Sequence, residues 1–351
     1  METELDVIEV KEAPKSRSWD DEKAEVLAKK ISELPLKIEG TFLETQIDQL
    51  YKELDAHGLI FHPKCYLSDE WGCPDGIPII GIPFYLADKK LSRIEEEYTE
   101  NLEKEEEIIS YLRHEAGHAF NYAYQLYETQ EWPSVFGPFS RPYIDEYKPN
   151  PLSKKYVRHS LGWYAQKHPD EDFAETFAVW ITPGLDWRKQ YEGWEALKKL
   201  EYVDRVCKEV GKQQPSIGEI ELDQPLSALT VTIREFYERR ASREYPKIIS
   251  QLGRYLDGDL REIFETKHEP NYRAAHEFIH NHRHTLRNLV YYWTGISIHI
   301  LRGLLRYLTE RAQTVEIYYD PSKEQHYLLQ MEAFLLTLAM NYRYTDKFLE
   351  I

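Results

Sequence analysis

The chain has 351 residues, 30% charged and 42% hydrophobic, which is the balance of a folded globular protein long enough for one larger and one smaller domain. Its formal net charge of -17 repels phosphate backbones and acidic membrane surfaces, and no dense basic patch offsets it, which argues against nucleic acid and membrane as partners. Three scattered cysteines, Cys65, Cys73 and Cys207, suit a reducing compartment better than a disulfide framework, so a cytoplasmic location is expected.

Residues 1–40 read as an acidic N-terminal arm with a short helix ending near Pro35, and the start lacks the basic and apolar regions of an export signal. Thr41 with Glu44 makes a capping box, after which Phe42, Leu43, Ile47, Leu50 and Leu54 recur at helical spacing until His57-Gly58. Short apolar pieces over residues 59–86, punctuated by Gly and Pro, predict strands and turns. Pro78 and Pro83 make the last of these an edge strand, because neither can donate to a ladder.

Ser92 with Glu95 makes a second capping box, opening an acidic helical stretch that leads into Ile108, Leu112, Ala116, Ala119, Phe120 and Ala123. A loop rich in Pro and aromatics follows over residues 132–151. A second helix is expected after Pro169, running to about Ile181 before Thr182-Pro183-Gly184. From residue 213 onward the pattern is nearly all helical, with stops at Pro246, Pro270 and Gly295 and a short strand over residues 315–319. The apolar run at residues 328–340 is interrupted by Gln330 and Glu332 and is too short to span a bilayer.

The chemistry concentrates in His114-Glu115-Ala116-Gly117-His118. Two histidines four apart on a helix present both rings on one face to a single ion, with Glu115 beside them, the arrangement in which zinc acidifies a water and a carboxylate removes its proton. The same pattern recurs at His276-Glu277-Phe278-Ile279-His280, followed by His282 and His284. Two features favour the first copy. Its small Ala116 and Gly117 give up helix propensity, which makes sense where another element packs closely, whereas Phe278 and Ile279 look like core residues. A partner segment, Asp170-Glu171-Asp172-Phe173-Ala174-Glu175, also follows only the first. Glu171 and Glu175 share a helix face there: if Glu171 ligates zinc, Glu175 can accept the second ring N–H of a ligand histidine. The competing reading is a solvated acidic helix start favoured by the helix dipole. His159 and His168 read as structural.

Residues 73–206 resemble the bacterial zinc-binding metallopeptidases of the gluzincin type. Arg113 to His118 carries their Arg-His-Glu-x-Gly-His signature, and Glu171-Asp-Phe-Ala-Glu175-Thr-Phe-Ala178 their later acidic motif. The acidic motif is also similar to that of the anthrax lethal factor catalytic domain. That likeness implies Glu171 as the third zinc ligand, Glu175 as its support, and Tyr164, seven residues earlier, as a stabiliser of the oxyanion. It further implies a zincin-like fold of the α+β class, with a small mixed sheet and an active-site helix, over residues 41–212. Residues 79–85 would then bind extended substrate by strand addition. Residues 213–351 form a mostly helical C-terminal domain that inherits no function, though it is a candidate surface for a protein partner.

The expected protein is thus a zinc metallopeptidase acting on a peptide or protein substrate, with Zn2+ held by His114, His118 and Glu171 and Glu115 as general base. The alternatives are a catalytically silent zinc-binding scaffold acting in protein–protein interaction, and a helical protein with coincidental histidines.

Overall fold

The computed structural model describes residues 18–99, 102–144, 147–215, 222, 225–243, 249 and 252–348. Residues 1–17 of the expected arm and the expected stop at Pro246 lie outside the described residues. Helix α1 (Trp19–Leu27) precedes α2 (Phe42–Ala56), which opens at the expected cap. Thr41 Oγ1 accepts from the Leu43 N–H at 3.2 Å, and the Glu44 carboxylate accepts from the Gly40 N–H at 2.7 Å. Leu43, Ile47, Leu50 and Leu54 form its buried face, and Gly58, at φ +76°, ends it.

Strands β1 (Lys64–Ser68) and β2 (Ile79–Pro83) pair in parallel, Cys65 opposite Ile80 and Leu67 opposite Ile82. β2 is an edge of this two-stranded sheet, as expected, but one isolated bridge covers its middle. Gly81 donates to the Gly72 carbonyl at 2.7 Å and accepts from the Gly72 N–H at 3.3 Å, which covers the flank away from β1. The backbone on which an added substrate strand would have to pair is already in use there. Residues 59–61, expected as a strand, are irregular, and the Ile60 N–H bonds to the Gly211 carbonyl instead.

The acidic helical stretch divides in two. Helix α3 (Lys89–Thr99) starts earlier than expected, because Asp88 accepts from the N–H groups of Lys90 and Leu91 at 2.8 and 3.1 Å, while the Ser92 hydroxyl donates to the Tyr85 carbonyl. Aspartate caps as well as serine does, and the earlier start sets Leu91 into the core. Helix α4 (Glu105–Ala123) begins separately, where the Glu107 carboxylate accepts from the Lys104 N–H at 2.8 Å. A short helix α5 (Trp132–Phe136) follows, then α6 (Pro169–Ile181) with Pro169 in its first turn, α7 (Trp187–Gln190), α8 (Ala196–Val210) and α9 (Ile233–Arg243). Their apolar faces make one core, which Leu229, Ile233 and Tyr237 also join.

A second core lies among α10 (Asp257–Ile263), α11 (Ala275–Thr294), α12 (Ile298–Thr314) and α13 (Glu324–Thr345). Here β3 (Arg273–Ala274) pairs antiparallel with β4 (Tyr318–Tyr319), and Gly295, at φ +64°, terminates α11. The two cores meet where the Trp163 indole N–H donates to the Tyr292 carbonyl at 2.8 Å and the Arg343 guanidinium bonds to the carbonyls of Pro149 and Thr294. The architecture is therefore mostly helical with two small sheets among the described residues, and no described helix is long and apolar enough to cross a membrane.

Candidate metal centre

Helices α4 and α6 lie side by side, with Gly117 and Ala174 at the contact, and bring His114 and His118 against Glu171. All three are buried. His114 Nε2 stands 3.0 Å and His118 Nε2 3.2 Å from Glu171 Oε2, and the two Nε2 atoms are 3.1 Å apart. Tetrahedral zinc with bonds of about 2.0–2.1 Å spaces its ligand atoms by roughly 3.3 Å, so this triangle has the dimensions of a zinc face.

Each outer ring nitrogen is committed to a carboxylate. His114 Nδ1 lies 2.8 Å from Glu175 Oε1, and His118 Nδ1 lies 2.8 Å from Asp170 Oδ2. Those carboxylates are themselves fixed: Ser160 donates to Glu175 from its N–H at 2.8 Å and its hydroxyl at 2.5 Å, while Asn121 and Tyr122 donate to Asp170 at 2.8 and 2.5 Å. With protons on Nδ1, both Nε2 lone pairs and a carboxylate oxygen point at one spot. Only a cation or extra protons relieve that convergence, so the donor set fits a metal ion.

The electrostatics express the same demand for positive charge. Burial works to lower the His114 pKa, but hydrogen bonds to Glu171 and Glu175 outweigh it and lift the ring to about 10. His118 is likewise opposed by burial yet held well above the ordinary imidazole value by the charges of Asp170 and Glu171. Burial opposes the charge on Glu171 too, and the two histidines overcome it, holding the carboxyl well below its usual range.

Glu115 sits between the two histidines and lines the same cleft, which encloses about 1290 Å³. Burial raises its pKa, partly offset by His114 and His118. Tyr164 also lines the cleft, its ring centroid 5.6 Å from that of His114. A neighbour not anticipated from the sequence, Tyr143, donates to Glu171 Oε1 and stands 3.1 Å from the Tyr164 hydroxyl. Lys167 Nζ lies 3.5 Å from that hydroxyl. Burial and the Glu171 charge push both phenols well above their usual pKa, so both remain protonated donors.

Residues 80–192 match the model of a family described as "Putative zinc-binding metallo-peptidase". Comparison with curated proteins and with solved structures gave no match. The matched stretch contains all three residues of the triangle together with Glu115, Tyr164 and Glu175.

The remaining sequence candidates fall elsewhere. Among the described residues, the His114, His118 and Glu171 group is the one cluster able to hold a metal ion. The second copy of the motif lies on α11 with Phe278 and Ile279 in the core, Glu277 and His280 exposed, and His282 paired with Glu324 at 2.8 Å. His168 caps α6, accepting from the Asp170 N–H at 3.2 Å and bonding to the Arg141 carbonyl at 2.7 Å. His159 lies 2.9 Å from the Ser110 hydroxyl, and the three cysteines are free thiols.

Sequence reasoning missed Asp170, although a signal existed. Two ligand histidines need two acceptors for their outer nitrogens, and Glu175 can serve only one. It also missed that α11 and α12 supply Arg287, Tyr291 and His299 to the cleft wall.

Proposed function

We propose that this chain is a zinc-dependent metallopeptidase of zincin-like fold, with the ion held by His114, His118 and Glu171. The observation that carries the reading is the triangle of ligand atoms whose two histidines are each oriented by a carboxylate, with Glu115 in the same cleft. When bound, zinc supplies Lewis acidity that lowers the pKa of water and polarises a carbonyl. Glu115, made more basic by burial, takes the proton of the attacking water and returns it to the leaving amine. Tyr164 donates its hydroxyl to the substrate carbonyl oxygen as that atom gains charge, and Tyr143 and Lys167 hold Tyr164 in position. A peptide or protein substrate and a cytoplasmic location belong to the same proposal, supported by the family match and by composition.

The test is zinc content by mass spectrometry on untagged protein, beside Glu171→Ala and Glu175→Ala, followed by a peptide-library screen with Glu115→Gln. About one zinc per chain, lost mainly with Glu171, and cleavage abolished in Glu115→Gln are expected. No zinc after reconstitution would sink the proposal. Zinc without turnover on any peptide would leave a metal-binding scaffold.

A further inference from the structure

Next to the metal cleft, across residues 159–161, lies a second cavity of about 320 Å³. The two share residues 159–161 in their walls, so the smaller lies directly beside the larger. Its wall is close to the ion site, because Ser160 holds Glu175, and Glu175 holds His114. Leu161, Tyr191, Trp194 and Tyr292 give it apolar walls, Tyr292 arriving from α11.

Arg158 lines this cavity, and its surroundings differ from those of three other cations of the described residues that are held by carboxylates. Arg113 has Glu53, Lys199 has Asp172 and Arg311 has Asp257. Arg158 has no ion pair among the described residues. Its guanidinium carbon lies 3.9 Å over the Trp163 ring and 4.8 Å over the Trp194 ring. One nitrogen, Nη2, donates to the Pro151 carbonyl at 3.1 Å, and Nε is buried with no acceptor.

The chain carries 61 acidic and 44 basic side chains, yet none of the described carboxylates pairs with Arg158. Indole faces beside a guanidinium occupy its flat sides and leave in-plane N–H donors for a planar anion, here those not already taken by Pro151 or buried at Nε. A cavity of this size, apolar along its sides with one cation in its wall, suits a single residue that ends in a carboxylate.

We propose that this cavity is a specificity subsite for a carboxylate-bearing residue of the substrate peptide, with Arg158 as the anchor. The assignment rests on the peptidase reading for its substrate class. The carboxylate is either an Asp or Glu side chain or a chain terminus, and the apolar walls take the stem that carries it.

The experiment is calorimetric binding to the zinc-loaded full chain, which needs no turnover and so fails separately from the peptidase reading. Two pairs of probes are used: acetyl-Ala-Glu-Ala-amide against acetyl-Ala-Gln-Ala-amide, and acetyl-Ala-Phe free acid against its amide. The acid of one pair should bind about 10- to 100-fold more tightly than its neutral partner, the range for a charge-assisted hydrogen bond. Which pair shows the difference identifies the source of the carboxylate. The difference should vanish in Arg158→Gln and survive in part in Arg158→Lys, which keeps the stem and charge should the first variant fold poorly. Acid and neutral probes that behave alike, whether both bind or neither does, overturn the proposal. So does a preference that persists in Arg158→Gln.

Discussion

A Cβ placed on Gly117 would stand 2.7 Å from the Cα of Ala174 and 3.0 Å from its carbonyl oxygen. The backbone of α6 therefore rests directly on the turn between the two histidines, and this closeness lets Glu171 reach both rings. On a free helix surface Gly→Ala stabilises by about 1 kcal/mol. At Gly117 the sign should reverse: Gly117→Ala is expected to destabilise by about 1–3 kcal/mol through overpacking and to weaken metal retention. Thermal unfolding of the zinc-loaded protein checks this, and an unchanged or raised midpoint would contradict the packing.

The carboxylates behind the histidines yield a second prediction. Asp170→Asn and Glu175→Gln preserve shape but remove the charge that fixes each ring and raises its basicity. Each is expected to lower zinc affinity about 10- to 100-fold. Competition with a chromophoric chelator measures it, and affinity equal to wild type in both variants would remove the supporting role.

Metal removal should make stability depend on pH with a definite sign. In the metal-free chain the folded pKa of His114 is raised to about 10, and that of His118 is raised as well. A raised pKa contributes stability that is complete below the unfolded value of about 6.5 and drains away as pH climbs through the folded value. The lowered carboxyls Asp170, Glu171 and Glu175 act oppositely, their contribution being present above their unfolded values near pH 4 and lost as pH falls through the folded ones. The metal-free melting midpoint should therefore decline from about pH 6.5 towards 10. The added stability from zinc should grow over the same range, since zinc no longer competes with protons. A metal-free midpoint that stays level across that window is the outcome that refutes this account.

Arg113, part of the motif that carries the family resemblance, acts away from the ion. Its Nε and Nη2 donate to the two carboxylate oxygens of Glu53, each at 2.7 Å, tying α4 to α2 with both side chains nearly buried. Glu53→Ala leaves a buried charge without its partner and is expected to cost about 3–5 kcal/mol. Denaturant unfolding followed by tryptophan fluorescence reports it, and a loss below about 1 kcal/mol would mean the pair is solvated.

What the sequence made legible was local. The Thr41 cap, Pro169 in the first turn of α6 and the small Gly117 each state their role through a short-range rule, and the structure bears out all three. Asp88 and Ser92 could not be ranked as caps, because their intrinsic preferences are nearly equal and burial of Leu91 made the choice. Asp170 and Asp172 are alike in sequence. Helix phase alone sends the first to His118 and the second to Lys199, at 2.5 Å, where burial lifts the Asp172 pKa to about 7 against the pull of that lysine. Gly72 over β2 and Tyr291 in the cleft wall depend on contacts that no periodicity encodes.

The long-range contact between Gly162 and Tyr291 is where the two cores can be uncoupled. Gly162 holds φ +78°, and a Cβ there would fall 2.3 Å from the Tyr291 ring. Gly162→Ala therefore combines left-handed backbone strain with a steric clash and is expected to cost roughly 2–5 kcal/mol. Because residues 160–164 carry Ser160 and Tyr164, the displacement should also alter the cleft rather than merely loosen a surface. Tyr291→Ala removes the clashing ring but leaves the φ strain, so the double variant should recover part of the loss, with a coupling of about 0.5–3 kcal/mol in a double-mutant cycle. Strictly additive unfolding energies would show that α11 is not seated on Gly162, and the wall it gives to both cavities would then have to be redrawn.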